Sequence, residues 1–226
     1  GYLSLPERVN QRPMPPIQTI DMRQVGTRIG GLLSPQLKGY IEETLAAGEQ
    51  IILFLNRRGY HTSLICAACG HSFRCQHCSV TLTHHLKQSI LLCHYCGYYE
   101  HVPRSCPECQ CQSIEHLGRG TERVHELLCE IFPTARIERM DRDTISGKKE
   151  RLESLIERFA QRKTDILLGT QMVAKGHDFH GVTLVGVLLA DMGMNLPDFR
   201  SSERTFQLLM QVAGRAGRGV RPGRVI

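Results

Sequence analysis

Apolar residues along the chain fall into two alternating patterns. In "SPQLKGYIEETLAAGEQIILFLN" a segment with helical spacing is followed by an unbroken apolar run at residues 51–55. Ser34 is placed to cap the helix and Pro35 to occupy its first turn, where a missing N–H costs nothing. Gly48 suits the helix end. A run without alternation predicts a strand buried on both faces of a parallel sheet. "GTERVHELLCEIFPTARIERMD" repeats the helix–strand order. "KKERLESLIERFA" sets Leu152, Leu155, Ile156 and Phe159 at i, i+3, i+4 and i+7, one face of a helix. "TDILLGT" and "VTLVGVLLAD" are two more apolar strands, and "SSERTFQLLMQVAG" is a last helix. Cys129, directly after Leu127 and Leu128, is expected to be a small buried hydrophobe. The alternation predicts an α/β fold: an open, mostly parallel sheet with helices on both faces. Residues 1–16, with Pro13, Pro15 and Pro16, read as a linker.

Residues 62–116 break this pattern and read as an insertion between one strand and the next helix. Eight of the ten cysteines form four C-x-x-C pairs: Cys66/Cys69, Cys75/Cys78, Cys93/Cys96 and Cys106/Cys109. Each such turn aims two thiolates at one tetrahedral cation, so four turns make two four-cysteine zinc sites. An iron–sulfur cluster would use four cysteines and leave four unexplained. Gly70 and Gly97 follow the second cysteine of their pairs, where left-handed torsions ease the turn. Four turns combine in three ways. The sequential one is tight, with five residues between the first two turns. The nested one joins Cys75, Cys78, Cys93 and Cys96 at ribbon-like spacing, with Cys66, Cys69, Cys106 and Cys109 closing the base. Nested pairing is favoured, and the interleaved one stays open. "VTLTHHLKQSILL" between the inner turns reads as a β-hairpin. With eight thiols available, His71, His77, His84, His85, His94 and His101 are expected at the surface, and Cys111 outside the sites.

Composition adds limits. An apolar content of 41% and a charged content of 22% over 226 residues are those of a globular chain. No run approaches the ~20 apolar residues of a membrane span, and "GYLSLPERVN" is not a secretion signal. A cytoplasmic protein without a membrane partner is expected, in a compartment where disulfides are rare. The net charge of +6 falls to about +2 once eight thiolates hold two Zn²⁺, so any attraction to nucleic acid must be local.

Two loops carry candidate chemistry: "GTQMVAKGHDF" after one strand, and "QVAGRAGR" after the last helix. In the second, Gly214, Ala216 and Gly217 are expected to leave the backbone open beside Arg215 and Arg218, two guanidinium forks suited to a phosphate. A plain basic turn would fit that loop alone. Q-x-x-G-R-x-G-R resembles motif VI of superfamily 2 helicases, and Thr170, Lys175, Gly176 and Asp178 resemble their motif V. With "ILFLNRRGY", the eight-cysteine insertion, "RMDRDT" and "LPDFRSSERTFQLL", the chain resembles the second, RecA-like motor lobe of the bacterial primosomal helicases.

The resemblance implies an ATP-dependent 3′→5′ DNA helicase that recognises stalled replication forks and initiates primosome assembly. Residues 17–61 and 117–226 would form the lobe. Arg215 and Arg218 would contact the γ-phosphate, and Gln211 would couple that site to a partner lobe. Gly176 and Asp178 would lie near the nucleotide and Thr170 near the DNA backbone. Arg57, Arg58, Arg139 and Arg142 are offered as phosphate contacts, each equally readable as a solvated charge. Two zincs would be structural, with ATP and Mg²⁺ as cofactors of the full-length enzyme. Forked or single-stranded DNA, primosomal proteins and single-strand-binding proteins would be partners. No G-x-x-x-x-G-K-[ST] or DExH box occurs, and "SGKKE" lacks the first glycine and the hydroxyl. The chain is therefore expected to be part of a longer enzyme and inactive toward ATP alone. A zinc-ribbon nucleic-acid or protein adaptor on a Rossmann-like scaffold is the competing expectation, and a repair or RNA helicase with a different accessory insert is a further one.

Overall fold

The structure is a computed structural model that describes residues 14–56, 64–66, 68–78, 80–85, 88–116, 120–141, 149–173, 178–195 and 200–226. Among the described residues, four α-helices, α1 (Pro35–Ala46), α2 (Gly120–Ile131), α3 (Lys149–Ala160) and α4 (Ser201–Ala213), surround the main sheet. Its strands are β1 (Gln50–Leu55), β7 (Ile137–Met140), β8 (Ile166–Gly169), β9 (Val182–Leu188) and β10 (Arg224–Val225). They run in the order β10-β9-β1-β8-β7, and every pairing is parallel. Ile17 extends the edge by a parallel bridge to Val225.

The local signals act as expected. The Ser34 hydroxyl accepts from the Leu37 N–H at 3.0 Å, and Gly48 leaves α1 at φ +66°. All six residues of β1 are buried. A strand turns successive side chains to opposite faces. Ile51, Leu53 and Leu55 accordingly join Leu37 and Ile41 of α1 and Val124 and Leu128 of α2 in one apolar cluster. Ile52 and Phe54 join Leu155 and Phe159 of α3 and Leu208 and Val212 of α4 in the other. Both faces of the sheet are thus covered by helices. Phe159 meets Phe179 edge to face, with ring centroids 4.7 Å apart.

Polar side chains stitch the N-terminal ends of the strands. Buried Gln50 donates its amide to the carbonyls of Phe159 (2.7 Å) and Thr164 (2.8 Å). Arg136 grips Asp165 with both its main-chain and side-chain N–H groups. That hydrogen bonding holds the Asp165 carboxyl below its ordinary range, against partial burial.

Between β1 and α2 lies a small antiparallel unit. β2 (Leu64–Cys66) pairs with β6 (Ile114–His116) as a stem. β3 (Thr83–His85), β4 (Ile90–Leu92) and β5 (Tyr99–His101) form a three-stranded meander above it. The expected hairpin is therefore present, with a third strand added. Two expectations fail. Cys129 is exposed rather than buried, because Val124 and Leu128 set the buried stripe of α2 and the next residue turns about 100° away. His84 is buried rather than superficial: it faces the module's core opposite Leu91. Among the described residues, no helix is long and apolar enough to cross a membrane.

Candidate metal centres and arginine loop

The four C-x-x-C turns share one backbone pattern. The N–H of Cys66, Cys75, Cys93 and Cys106 donates to the carbonyl five residues on, at 2.7–2.9 Å. In the three turns where that residue is described, the one after the second cysteine closes the turn back onto the first: Gly70 to Cys66, Gly97 to Cys93, and Gln110 to Cys106. Gly70 and Gly97 take φ +76° and +75°. Gln110 adopts φ +61°, a left-handed conformation that a Cβ disfavours.

These turns converge in the nested arrangement. Cys66, Cys69, Cys106 and Cys109 form one group and Cys75, Cys78, Cys93 and Cys96 the other, with all ligand atoms of a group within 4.8 Å of one another. The Sγ atoms of Cys66 and Cys109 lie 3.5 Å apart, Cys69 and Cys106 3.6 Å, and Cys75 and Cys96 3.5 Å. A disulfide needs about 2.05 Å. Four sulfurs at about 2.3 Å around a tetrahedral zinc stand about 3.8 Å apart, so the spacing fits a cation and not a disulfide.

Electrostatics points the same way. The backbone N–H groups of Cys96 and Tyr95 pull Cys93 down to about 7 against burial. At Cys66 burial is outweighed by the N–H groups of Cys69 and Ala68, and the thiol again falls to about 7. Cys78 is pushed up to about 12 by Cys96, burial and Cys93. Four thiolates cannot crowd together without a cation. Both groups are therefore four-cysteine zinc-binding sites. They are closed, with no open coordination position, which marks them as structural. None of the six histidines belongs to either set.

The arginine loop lies elsewhere. The Gly217 N–H donates to the carbonyl of Val182, the first residue of β9, at 3.0 Å. Arg218 donates through Nε to Gly214 O at 2.8 Å and pairs with Asp178 at 3.0 Å. The Arg218 guanidinium holds the Asp178 carboxyl below its usual range against burial, with help from His180 and Arg215. Arg215 is itself buried. Burial and then the Arg218 charge lower its pKa, which Asp178 offsets. Asp178, Arg215 and Arg218 thus gather at the N-terminal edge of β9. Gln211 is exposed two residues before α4 ends.

The small residues of this loop do something other than expose backbone. Ala216 is fully buried, and a Cβ on Gly217 would come within 2.5 Å of Gly223 N. The loop packs main chain against main chain, and the "PG" at 222–223, which could have signalled this, is its other half.

Thr170 sits at the opposite edge, just past β8, its N–H 3.4 Å from Met140 O. The insertion leaves that same edge, after Asn56 at the end of β1. Six residues of strand separate the two edges by about 20 Å. Arg139 is engaged by Asp141 at 2.8 Å and Glu122 at 3.6 Å, partners the sequence did not reveal. Arg57, Arg58, Arg142 and Gly176 lie outside the described residues.

Residues 75–100 match the family described as the PriA DNA helicase Cys-rich region (CRR) domain. Residues 109–220 match the helicase conserved C-terminal domain. The chain is 52% identical to the replication restart protein PriA of Bacillus subtilis over 99% of its own length and 28% of that protein. It is 44% identical to that of Synechocystis over all of its length and 28% of the relative. For the PriA of Treponema pallidum the identity is 43%, over 99% of this chain and 33% of the relative. The chain thus spans about a third or less of the length of these relatives. Similarity along nearly the whole chain, a helicase C-terminal domain and a cysteine-rich zinc-binding insertion in one sequence place it in the PriA family of replication restart proteins.

Proposed function

We propose that this chain is the second motor lobe, with its accessory module, of an ATP-dependent 3′→5′ DNA helicase that recognises stalled forks and starts primosome assembly. Residues 17–61 and 117–226 form the lobe in this reading, and 62–116 the inserted module. The observation that carries it is the Asp178–Arg218 pair beside buried Arg215, which ties the two helicase motifs into one charged edge. A binding adaptor has no use for that constellation.

In the working enzyme a partner lobe brings ATP and Mg²⁺ to this edge. Arg215 and Arg218 neutralise charge that develops on the γ-phosphate, and Asp178 holds the Arg218 fork in place. Gln211 faces the partner lobe. Thr170, at the other edge, meets the DNA backbone together with the module that leaves beside it. The zincs serve rigidity, not the reaction. DNA, single-strand-binding and primosomal proteins are the partners, in the cytoplasm.

The test is Arg215→Ala in the full-length enzyme, which loses roughly 10³-fold or more in DNA-stimulated hydrolysis. Arg215→Lys restores little, because an ammonium lacks the planar fork. Hydrolysis that survives both substitutions, or robust turnover by residues 1–226 alone, defeats the proposal.

A further inference from the structure

On the module's meander, His85 and His94 turn toward each other. His85 ends β3, and its neighbour His84 fills the buried face, so alternation sends His85 to the outer one. His94 lies in the turn that follows β4. Their Nε2 atoms are 3.3 Å apart, with ring centroids at 5.2 Å and planes tilted by 53°. N–H···O bonds span about 2.7–3.2 Å, so at 3.3 Å the two nitrogens make a loose N–H···N contact at best. Two imidazole nitrogens bound at about 2.0–2.1 Å to one tetrahedral cation stand about 3.3–3.4 Å apart, which is the gap observed.

We propose that His85 and His94 form a third metal site, open to solvent, for one exchangeable divalent cation of the zinc–nickel–copper class. Imidazole suits these borderline ions, whereas magnesium and calcium demand oxygen ligands. The site differs in kind from the two cysteine sites. It supplies two neutral ligands rather than four thiolates, and it leaves positions open for water or an external oxygen donor. Its cation binds weakly and exchanges. It bridges β3 to the turn that holds Cys93 and Cys96, so occupancy stiffens the hairpin over the inner zinc site.

The test uses the 226-residue chain carrying its two tight zincs. Equilibrium dialysis against rising free Zn²⁺ should reach three ions per chain, the third removed by a mild chelator that leaves two. His85→Gln should weaken the third ion by at least about tenfold, since losing even an outer partner of a metal ligand costs that much. His101→Gln, on the same sheet, should keep it. In parallel, substoichiometric Ni²⁺ should broaden the amide NMR signals of His85 and His94 first. The proposal is overturned if wild type stops at two ions, if His85→Gln binds the third as well as wild type, or if nickel broadening centres on other histidines.

Discussion

The lobe and its inserted module solve one physical problem by different means. Among the described residues of the lobe, fifteen buried ones pack one face of the sheet and thirteen the other. Among the described residues of the module the buried cluster comprises Leu64, Phe73, Cys75, Leu82, Leu91 and Cys93, two of which are metal ligands. A core that small cannot offset the chain entropy of some fifty residues without staples. Metal therefore stabilises the module and apolar area stabilises the lobe, so each should yield to a different insult.

The largest effect expected is from chelation. Structural zinc contributes on the order of 10–16 kcal/mol of apparent binding free energy in small peptides, more than the module's core can replace. Stripping both ions should remove amide-exchange protection from β3, β4 and β5 while β1 and β8 keep theirs. Collapse of both regions together would mean that the module braces the lobe. The converse is Phe159→Ala, which opens a cavity where a fully buried ring met Phe179. It should cost the lobe about 3–5 kcal/mol and leave two zincs per chain.

How far each region was legible follows from the same difference. The lobe announced itself, because β1, β8 and β9 are apolar runs and α1 carries its caps in sequence. The zinc ligands were equally plain, and ribbon-like spacing already favoured the nested pairing; C-x-x-C spacing alone does not say how the chain reverses, so only three dimensions closed off the interleaved one. His84 was misjudged by its chemistry. Alternation from Leu82 already placed it on the buried face. Cys129 was misjudged by its neighbours, since adjacency says little on a helix of about 3.6 residues per turn. Partnerships across long separations, Arg218 with Asp178 and Arg136 with Asp165, left no local trace.

Acid probes the lobe more gently. Asp165 has a native pKa held below its unfolded value, first by the Arg136 hydrogen bonds. Its contribution is therefore complete above the unfolded pKa and fades as pH falls through the native one. Arg136 is more than half exposed, so the pair is worth at most about 1 kcal/mol. Asp165→Asn should lower the melting temperature slightly at neutral pH. The gap from wild type should close in strong acid. A gap that persists there would assign the loss to something other than the charge.

The smallest effect tests the module's turns against one another. Gly97 takes φ +75°, with open space where a Cβ would stand, so Gly97→Ala incurs conformational strain and no clash. Gln110 holds the corresponding place in the Cys106 turn at φ +61°, and already bears that strain. A left-handed L-residue costs roughly 1–2 kcal/mol, partly offset by the greater freedom glycine has when unfolded. Gln110→Gly should thus strengthen the outer zinc site by up to about 1 kcal/mol, roughly fivefold in competition with a chelator, while Gly97→Ala weakens the inner site by a similar factor. If Gln110→Gly weakens retention instead, the Gln110 side chain, whose amide lies 3.3 Å from Pro107 O, contributes more to the turn than its backbone strain costs.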